Sequence, residues 1–339
     1  MAGGGHGTRA VIAALLANVG IAVAKFVGFL MTRSASMLAE SVHSVADSGN
    51  QALLLFGHKR AQRRPTPEHP FGFGRERYFW AFVVALILFS LGGMFAIVEG
   101  VSKIRDPHEL ESASIAIGIL VVGIVLEALS FRTAVIEGRK AKERGMSWWG
   151  FIRRTKQPEL PVVLLEDLGA LVGLILALLA VTVSVITDNA LWDGYGTLAI
   201  GILLVVIAVI LAIEMKGLLI GEAASPGERQ KIVSAIDGDP NVTKLIHLRT
   251  QHIGPDDLLV GAKLQLADDL SVDDAVEAVN RIEDRVRQAV PTVRIMYVEP
   301  DTFRTTPPGE AAASRPDGTG TDNVPAADLG SDSARPHSG

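Results

Sequence analysis

Residues 34–57 read SASMLAESVHSVADSGNQALLLFG, a segment whose apolar and small side chains are about enough to cross a bilayer as one helix. The segment nevertheless contains Glu40, His43 and Asp47. An ionisable group at membrane depth costs roughly 2.5–3.5 kcal/mol on insertion scales, so such groups usually have a function. His43 and Asp47 are four residues apart, which places both on one face of a helix. An imidazole and a carboxylate presented together provide half of a tetrahedral site for a divalent metal.

The composition favours a membrane protein over a pair of soluble domains. The chain has 339 residues, of which 48% are hydrophobic and 20% are charged, and its first 220 residues contain long runs with almost no charge. Such runs are typical of transmembrane helices. The chain has no cysteine, which excludes disulfides and thiolate metal sites. Any bound metal must therefore be held by His, Asp, Glu or water.

Six apolar windows are long enough to span a bilayer, so the sequence predicts a polytopic α-helical membrane protein with six transmembrane helices. The first window follows the N-terminus without a cleavage motif, and we interpret it as a retained span rather than a signal peptide. The windows are Ala10–Met31, Ser36–Gly57, Phe79–Val101, Ile115–Val135, Leu160–Ile186 and Leu191–Ile213.

The distribution of basic residues predicts the orientation of these spans. Lys and Arg are concentrated in residues 58–78 and 136–159, whereas the alternate loops carry only Arg33, Lys103 and Arg105. Basic loops stay on the cytoplasmic side of a membrane. Both termini are therefore expected in the cytoplasm.

After Gly221 the character of the sequence changes, and the pattern predicts a small α+β domain with the order α-β-β-α-β. From about residue 304 the chain is rich in Pro, Gly, Ser, Asp and Ala, which is typical of a disordered tail. The predicted domains are a transmembrane domain over residues 1–222, a cytoplasmic α+β domain over 223–303 and a tail over 304–339.

Two further spans also contain acidic residues. Span five begins PVVLLEDLGALVG, which places Glu166 and Asp167 one or two turns inside its predicted cytoplasmic end. Gly169 and Gly173 in the same span form a small-xxx-small pair that lets helix backbones approach closely. Glu127 lies in the middle of span four, where it either faces a water-filled cavity or pairs with a neighbour.

At these residues the chain resembles the cation diffusion facilitator family, whose members include the zinc transporters. The resemblance covers nearly the whole chain up to about residue 300. It rests on SASMLAESVHSVADSGNQ, HPFGFGRERY, VLLEDLGALVG and WDGYGTLAIG. It implies six transmembrane helices followed by a cytoplasmic α-β-β-α-β domain, in a homodimer. The implied activity is export of divalent cations from the cytosol in exchange for protons.

The resemblance implies that His43, Asp47 and Asp167 are ligands of a central transport site. Zinc-transporting members usually have His or Asp four residues before the span-five aspartate, and this chain has Val163 there. Glu166 is offered instead, and this LLED variant is similar to a branch that includes a mitochondrial member in animals. Whether Glu166, Glu40 or water completes the metal shell stays open at this point.

The expected function is efflux of a divalent cation (Zn²⁺, Mn²⁺, Fe²⁺ or Co²⁺) by a cation/proton antiporter without a cofactor. Its expected partners are the metal, protons, membrane lipid and a second copy of the chain, with no nucleic acid, and its expected location is the plasma membrane. An enzyme is not expected, since no HExxH-like motif is present. The alternative is a transport-inactive membrane sensor or scaffold. His247 and His252 in the soluble domain have an odd spacing, which on a strand places them on opposite faces.

Overall fold

The computed structural model describes most of the chain after residue 34 and scattered positions before it. The predicted tail over 304–339 and the side chains of residues 35–44, 46 and 113 lie outside the description. The described residues are 11–12, 15–16, 18–20, 22–23, 26–27, 30, 35–107, 113–143 and 145–303.

The described part of the membrane domain consists of long helices. Four of them are long and apolar enough to cross a membrane, and they correspond to the predicted spans three to six. Span two lies on a further helix of 27 residues, and its crossing of the membrane stays a prediction. Span one is helical at its described positions, but many of its residues lie outside the description. The helices are α1 (Ala35–Ala61), α2 (Glu76–Arg105), α3 (Ala113–Ala141), the short α4 (Trp148–Arg154), α5 (Glu159–Thr187) and α6 (Leu191–Ile220).

Glycines allow α2 and α6 to pack backbone against backbone. A Cβ atom at Gly100 would lie 2.6 Å from the backbone nitrogen of Leu198, and one at Gly201 would lie 2.7 Å from that of Ile97. Neither distance is compatible with a side chain. In the middle of α2, Leu88–Met94 forms a π-helical segment, a local widening that is frequent at functional sites.

The C-terminal domain has the predicted α-β-β-α-β order. Its three-stranded sheet has the order β1-β2-β3, with β1 antiparallel to β2 and β2 parallel to β3. The parallel pair is connected through a helix, as a parallel connection requires. The elements are α7 (Pro226–Asp237), β1 (Val242–Gly254), β2 (Asp257–Leu266), α8 (Val272–Ala289) and β3 (Val293–Pro300).

The apolar faces of α7 and α8 cover this sheet. Ile236 of α7 and Ile282 of α8 are fully buried in one cluster with Leu258 and Val260 of β2. Both helices begin at a serine whose side chain accepts a hydrogen bond from the backbone N–H of the third helical residue. At Ser225, the backbone N–H also donates to the side chain of Glu228, which completes a capping box.

A buried ion-pair cluster joins the membrane helices to the C-terminal domain. Arg77 near the start of α2 contacts Glu159 at the start of α5 with two nitrogen–oxygen distances of 2.5 and 2.9 Å. The third contact of Arg77 is from Nη1 to Asp256, in the turn between β1 and β2, at 2.9 Å. The side chains of Arg77 and Glu159 are only 3% and 2% exposed. We call these three residues the junction triad.

Candidate metal centre

The polar face of α1 contributes the first part of the candidate site. Asp47 lies on this face, is half-buried and lines a cavity between the helices. Asn50, three residues later on the same side of the helix, is buried and donates from Nδ2 to Oε1 of Glu166 at 2.8 Å. Gln51 accepts a bond of 3.1 Å from Asn18 of the first predicted span. This face is therefore held by hydrogen bonds to two other segments.

The two adjacent acids of α5 point to different neighbours. Consecutive residues on an α-helix are about 100° apart, since one turn takes 3.6 residues. Glu166 accordingly reaches Asn50 on α1, whereas Asp167 accepts a bond of 3.0 Å from the hydroxyl of Ser130 on α3. Glu166 and Asp167 are 6% and 3% exposed. The LLED motif thus joins α5 to two helices at one level.

A cavity of about 310 Å³ begins at these residues. Its acidic lining comes from three helices, with Asp47 on α1, Glu127 on α3 and Glu166 on α5. The rest of the lining is apolar or glycine, and the described lining contains no Lys, Arg or His. These other residues are Leu88, Gly92, Leu120, Gly169, Ala170, Gly173, Leu174, Ala177, Ile200 and Leu204.

The cavity extends along α5 from Glu166 to Ala177, which is roughly 16 Å of helix. In the other direction, towards the junction triad, every residue of α5 from Glu159 to Asp167 is buried. Within this segment, Val162–Leu165 pack with Tyr78 and Leu211 in the apolar core of the bundle. The acids therefore lie at the bottom of a cavity that is sealed on the side of the C-terminal domain.

The structure brings together some of the predicted site residues. Asp47 and Glu166 line one cavity. Asp167, which follows Glu166 in the sequence, is also buried but points to α3. The side chains of Glu40 and His43 lie outside the described residues. Within the described part of the chain, no three His, Asp or Glu side chains are placed so that they could hold a metal ion.

Two local expectations take a more specific form in the structure. Val163, at the position where zinc-transporting members have a ligand, is 1% exposed and packs in the apolar core. Gly169 and Gly173 face α6, where a Cβ at Gly169 would lie 2.7 Å from Cδ1 of Ile207. The close approach that this pair permits is therefore with α6, rather than with the helix that carries His43.

Three further polar residues at the cavity and its supporting contacts are not among the predicted site residues. The sequence predicts either a cavity or a pairing for Glu127, and the structure places Glu127 in the cavity wall with 4% exposure. The other two are Asn50, which follows Asp47 by three positions, and Ser130, which follows Glu127 by three positions. A polar residue one turn away from an intramembrane acid is the signal that could have found both.

The two histidines of β1 do not share a site. His247 is exposed and His252 is buried. Burial lowers the pKa of His252 below its ordinary value of 6.5; Lys156 also lowers this pKa, whereas Glu228 and Glu222 partly offset the effect. The expected separation of the two histidines is therefore observed.

Two protein-family models match consecutive parts of the chain, one over the membrane domain and one over the C-terminal domain. The cation efflux transmembrane domain matches residues 11–220, and the cytoplasmic domain of cation efflux proteins matches residues 224–301. Together they include every helix and strand from α1 to β3.

Several proteins of human, plant and bacterial origin are similar to this chain in sequence. The human mitochondrial proton-coupled zinc antiporter SLC30A9 is 32% identical over 231 residues, which is 68% of this chain and 41% of that protein. Metal tolerance protein C4 of Arabidopsis thaliana is 30% identical over 282 residues, or 82% of this chain and 61% of the plant protein. Magnetosome protein MamB of Magnetospira sp. (strain QH-2) is 21% identical over 84% of this chain and 92% of that protein.

The chain spans 41% of the length of the human relative and 61% of the length of the plant relative. The transmembrane match alone nevertheless covers more than half of this chain, and the cytoplasmic match follows it in the order expected from the sequence. The resemblance to the cation diffusion facilitators is confirmed: this multi-pass membrane protein belongs to the cation efflux family.

Proposed function

We propose that the chain moves a divalent metal cation across the membrane in exchange for protons, and that the ion binds between α1 and α5. The observation that carries this proposal is the acidic cavity, in which Asp47 and Glu166 from these two helices meet at membrane depth. Buried carboxylates without a basic residue in the described lining favour a cation. The proposed ligands are His43, Asp47 and Asp167, with Glu166 or Glu40 completing the set.

Proton coupling follows from the chemistry of these ligands. A metal binds neutral imidazole and ionised carboxylates, so its binding releases protons and protonation of the same groups releases the metal. Exchange of the two kinds of cation therefore needs no further ionisable group. The human relative is named a proton-coupled zinc antiporter, which agrees with this scheme for that protein.

The shape of the cavity supports a cycle of alternating access. With the C-terminal domain in the cytoplasm, the sealed segment Glu159–Asp167 lies on the cytoplasmic side and the cavity extends outward. This arrangement corresponds to a state that releases metal to the outside. Loading from the cytosol then requires the core around Val163 to open, with α5 moving relative to α2 and α6.

The metal is proposed to be one that accepts several oxygen ligands. Val163 removes one usual ligand, and the acids that remain suit manganese or ferrous iron as well as zinc or cobalt. We propose a homodimer, because the cytoplasmic domain of this family matches residues 224–301 and the resemblance implies a dimer. Location in the plasma membrane stays a prediction, since the human relative is named mitochondrial.

The test is metal uptake by liposomes that contain the purified full-length protein under an imposed pH gradient. Zinc, manganese, iron(II) and cobalt are compared for wild type, Asp47→Asn, Asp167→Asn and the control Glu137→Gln. Glu137 lies on α3 outside the cavity lining and contacts Lys140. We expect flux of at least one metal in wild type and the control, and none in the two aspartate variants.

The alternative of a transport-inactive sensor or scaffold is motivated by Val163, which leaves the usual ligand set incomplete. This alternative predicts no flux of any of the four metals by folded wild-type protein. Retained flux in both aspartate variants would instead show that the ion passes elsewhere. Either result would refute the site between α1 and α5.

A further inference from the structure

Glu127 brings a third helix into the acidic cavity. The ligands that the family resemblance implies lie on α1 and α5, whereas Glu127 belongs to α3. Its side chain is 4% exposed and lines the cavity together with Asp47 and Glu166. A carboxylic acid that is buried at membrane depth is costly to retain without a function.

The packing of α3 against α5 fixes the direction in which Glu127 points. Ser130 follows Glu127 by three residues and therefore lies on the same side of α3. Its hydroxyl donates to Oδ2 of Asp167 at 3.0 Å, and both side chains are buried. The face of α3 that carries Glu127 is thus held against the face of α5 that carries the LLED motif.

An independent observation points to a ligand at this place. Oε1 of Glu166 accepts the bond from Asn50, but the buried Oε2 has no hydrogen-bond partner among the described residues. A buried carboxylate oxygen without a donor carries the desolvation penalty of an unsatisfied charged group. A bound cation would satisfy this oxygen.

We propose that Glu127 is a further cation-binding residue of the transport pathway, an inference that rests on the proposed function. Together with Glu166 it supplies carboxylate oxygens to a divalent cation that enters the cavity. No three described acids are placed to hold an ion together in the present conformation, so in this proposal the contact forms when the ion draws α3 towards α1 and α5. Oxygen ligands suit hard ions best, so Glu127 favours manganese over zinc.

The experiment measures binding of manganese and of zinc to the full-length protein in lipid nanodiscs by calorimetry. The variants are Glu127→Gln, which keeps the shape and removes the charge, and Glu127→Asp, which keeps the charge. The matched control is Glu137→Gln on the same helix. We expect Glu127→Gln to weaken manganese binding by about tenfold or more, which is the range seen when a group around a metal is removed.

Zinc binding should weaken less than manganese binding, and Glu127→Asp should bind manganese more tightly than Glu127→Gln. The control should match wild type for both ions. Unchanged affinities in Glu127→Gln, with binding lost in Asp47→Asn, would overturn the role of Glu127 and leave the proposed function intact. Absence of metal binding to wild type would overturn both. If Glu127→Gln fails to fold, an unchanged ratio of manganese to zinc affinity in Glu127→Asp would overturn the proposal.

Discussion

The membrane domain buries acidic side chains in two places, and the two places differ in how their charge is compensated. At the junction triad, Glu159 is 2% exposed and shares two short contacts with the guanidinium of Arg77. In the cavity, Asp47, Glu127 and Glu166 line one space whose described wall contains no basic residue. The first arrangement pairs its buried acid with a base, whereas the second has the acidic wall that the proposed cation site would require.

This difference separates a structural role from a functional one by charge balance rather than by burial. A buried ion pair is sensitive to the loss of either partner, because the remaining charge cannot return to water. A cluster of like charges is instead relieved when one of its members is neutralised. The same type of substitution should therefore have opposite effects on stability at the two places.

The largest effect is expected at the junction triad. Arg77→Met leaves Glu159 buried without its partner and should lower the free energy of unfolding by about 3–5 kcal/mol. The measurement is thermal or denaturant unfolding of the purified protein. Arg75→Met is the matched control because Arg75 is exposed on the neighbouring turn.

The double variant Arg77→Met with Glu159→Met sharpens this test. Removal of both buried charges leaves only Asp256 without its partner, and the side chain of Asp256 is 46% exposed and can be hydrated, so most of the lost stability should return. Equal stability of Arg77→Met and Arg75→Met would mean that the triad contributes little. The contrast between the ion-paired acid of the junction triad and the acids of the cavity would then fail for the ion pair.

In the cavity, Asp47→Asn should leave the metal-free protein as stable as wild type or more stable. Wild type should gain about 2.7 kcal/mol when the free metal is at 100 times its dissociation constant, and the variant should not gain this. The measurement is the shift of the unfolding midpoint on addition of zinc or manganese. A variant that unfolds earlier without metal, as Arg77→Met should, would show that Asp47 is a structural group.

Some parts of both places could be predicted from the sequence. Asp47 and Glu166 each lie inside an apolar window, which predicts that both are at membrane depth. The structure places them in one cavity. The order of elements after Gly221 follows from local periodicity and caps. Such features depend on residues that are near each other in the chain.

The contacts between distant segments could not be predicted in the same way. Arg77 is 82 residues from Glu159 and 179 from Asp256, and its position next to a basic loop favours an exposed interfacial residue. Periodicity places Glu127 on one face of α3 but does not say which helix that face meets. Only the assembled bundle decides these pairings, because helix packing depends on side chains from every neighbour at once.

A smaller effect is expected from Ser130, which supports the cavity without lining it. Ser130→Ala removes the hydrogen bond to Asp167 and should weaken metal binding by about tenfold, or about 1.4 kcal/mol. Thr133→Ala is the control, since Thr133 is on the same helix, is exposed and bonds to the carbonyl of Leu129. Equal metal affinities in the two variants would show that Asp167 is positioned without Ser130.

The smallest effect on stability should come from His252, a buried base. A positive charge on His252 should be unfavourable in the fold, as an unpaired buried carboxylate is. Burial holds its pKa below the ordinary value of 6.5, so the folded protein keeps this side chain neutral while the unfolded chain takes up a proton. Its contribution to stability is therefore complete above pH 6.5 and is lost as the pH falls below that value. Unfolding midpoints measured across this range should fall less steeply for His252→Leu than for wild type. The matched control is His247→Leu, which removes the exposed histidine of the same strand. If His252→Leu keeps the wild-type slope, His252 takes up a proton as readily in the fold as in the unfolded chain, and an acid such as Glu222 or Glu228 must offset the effect of burial.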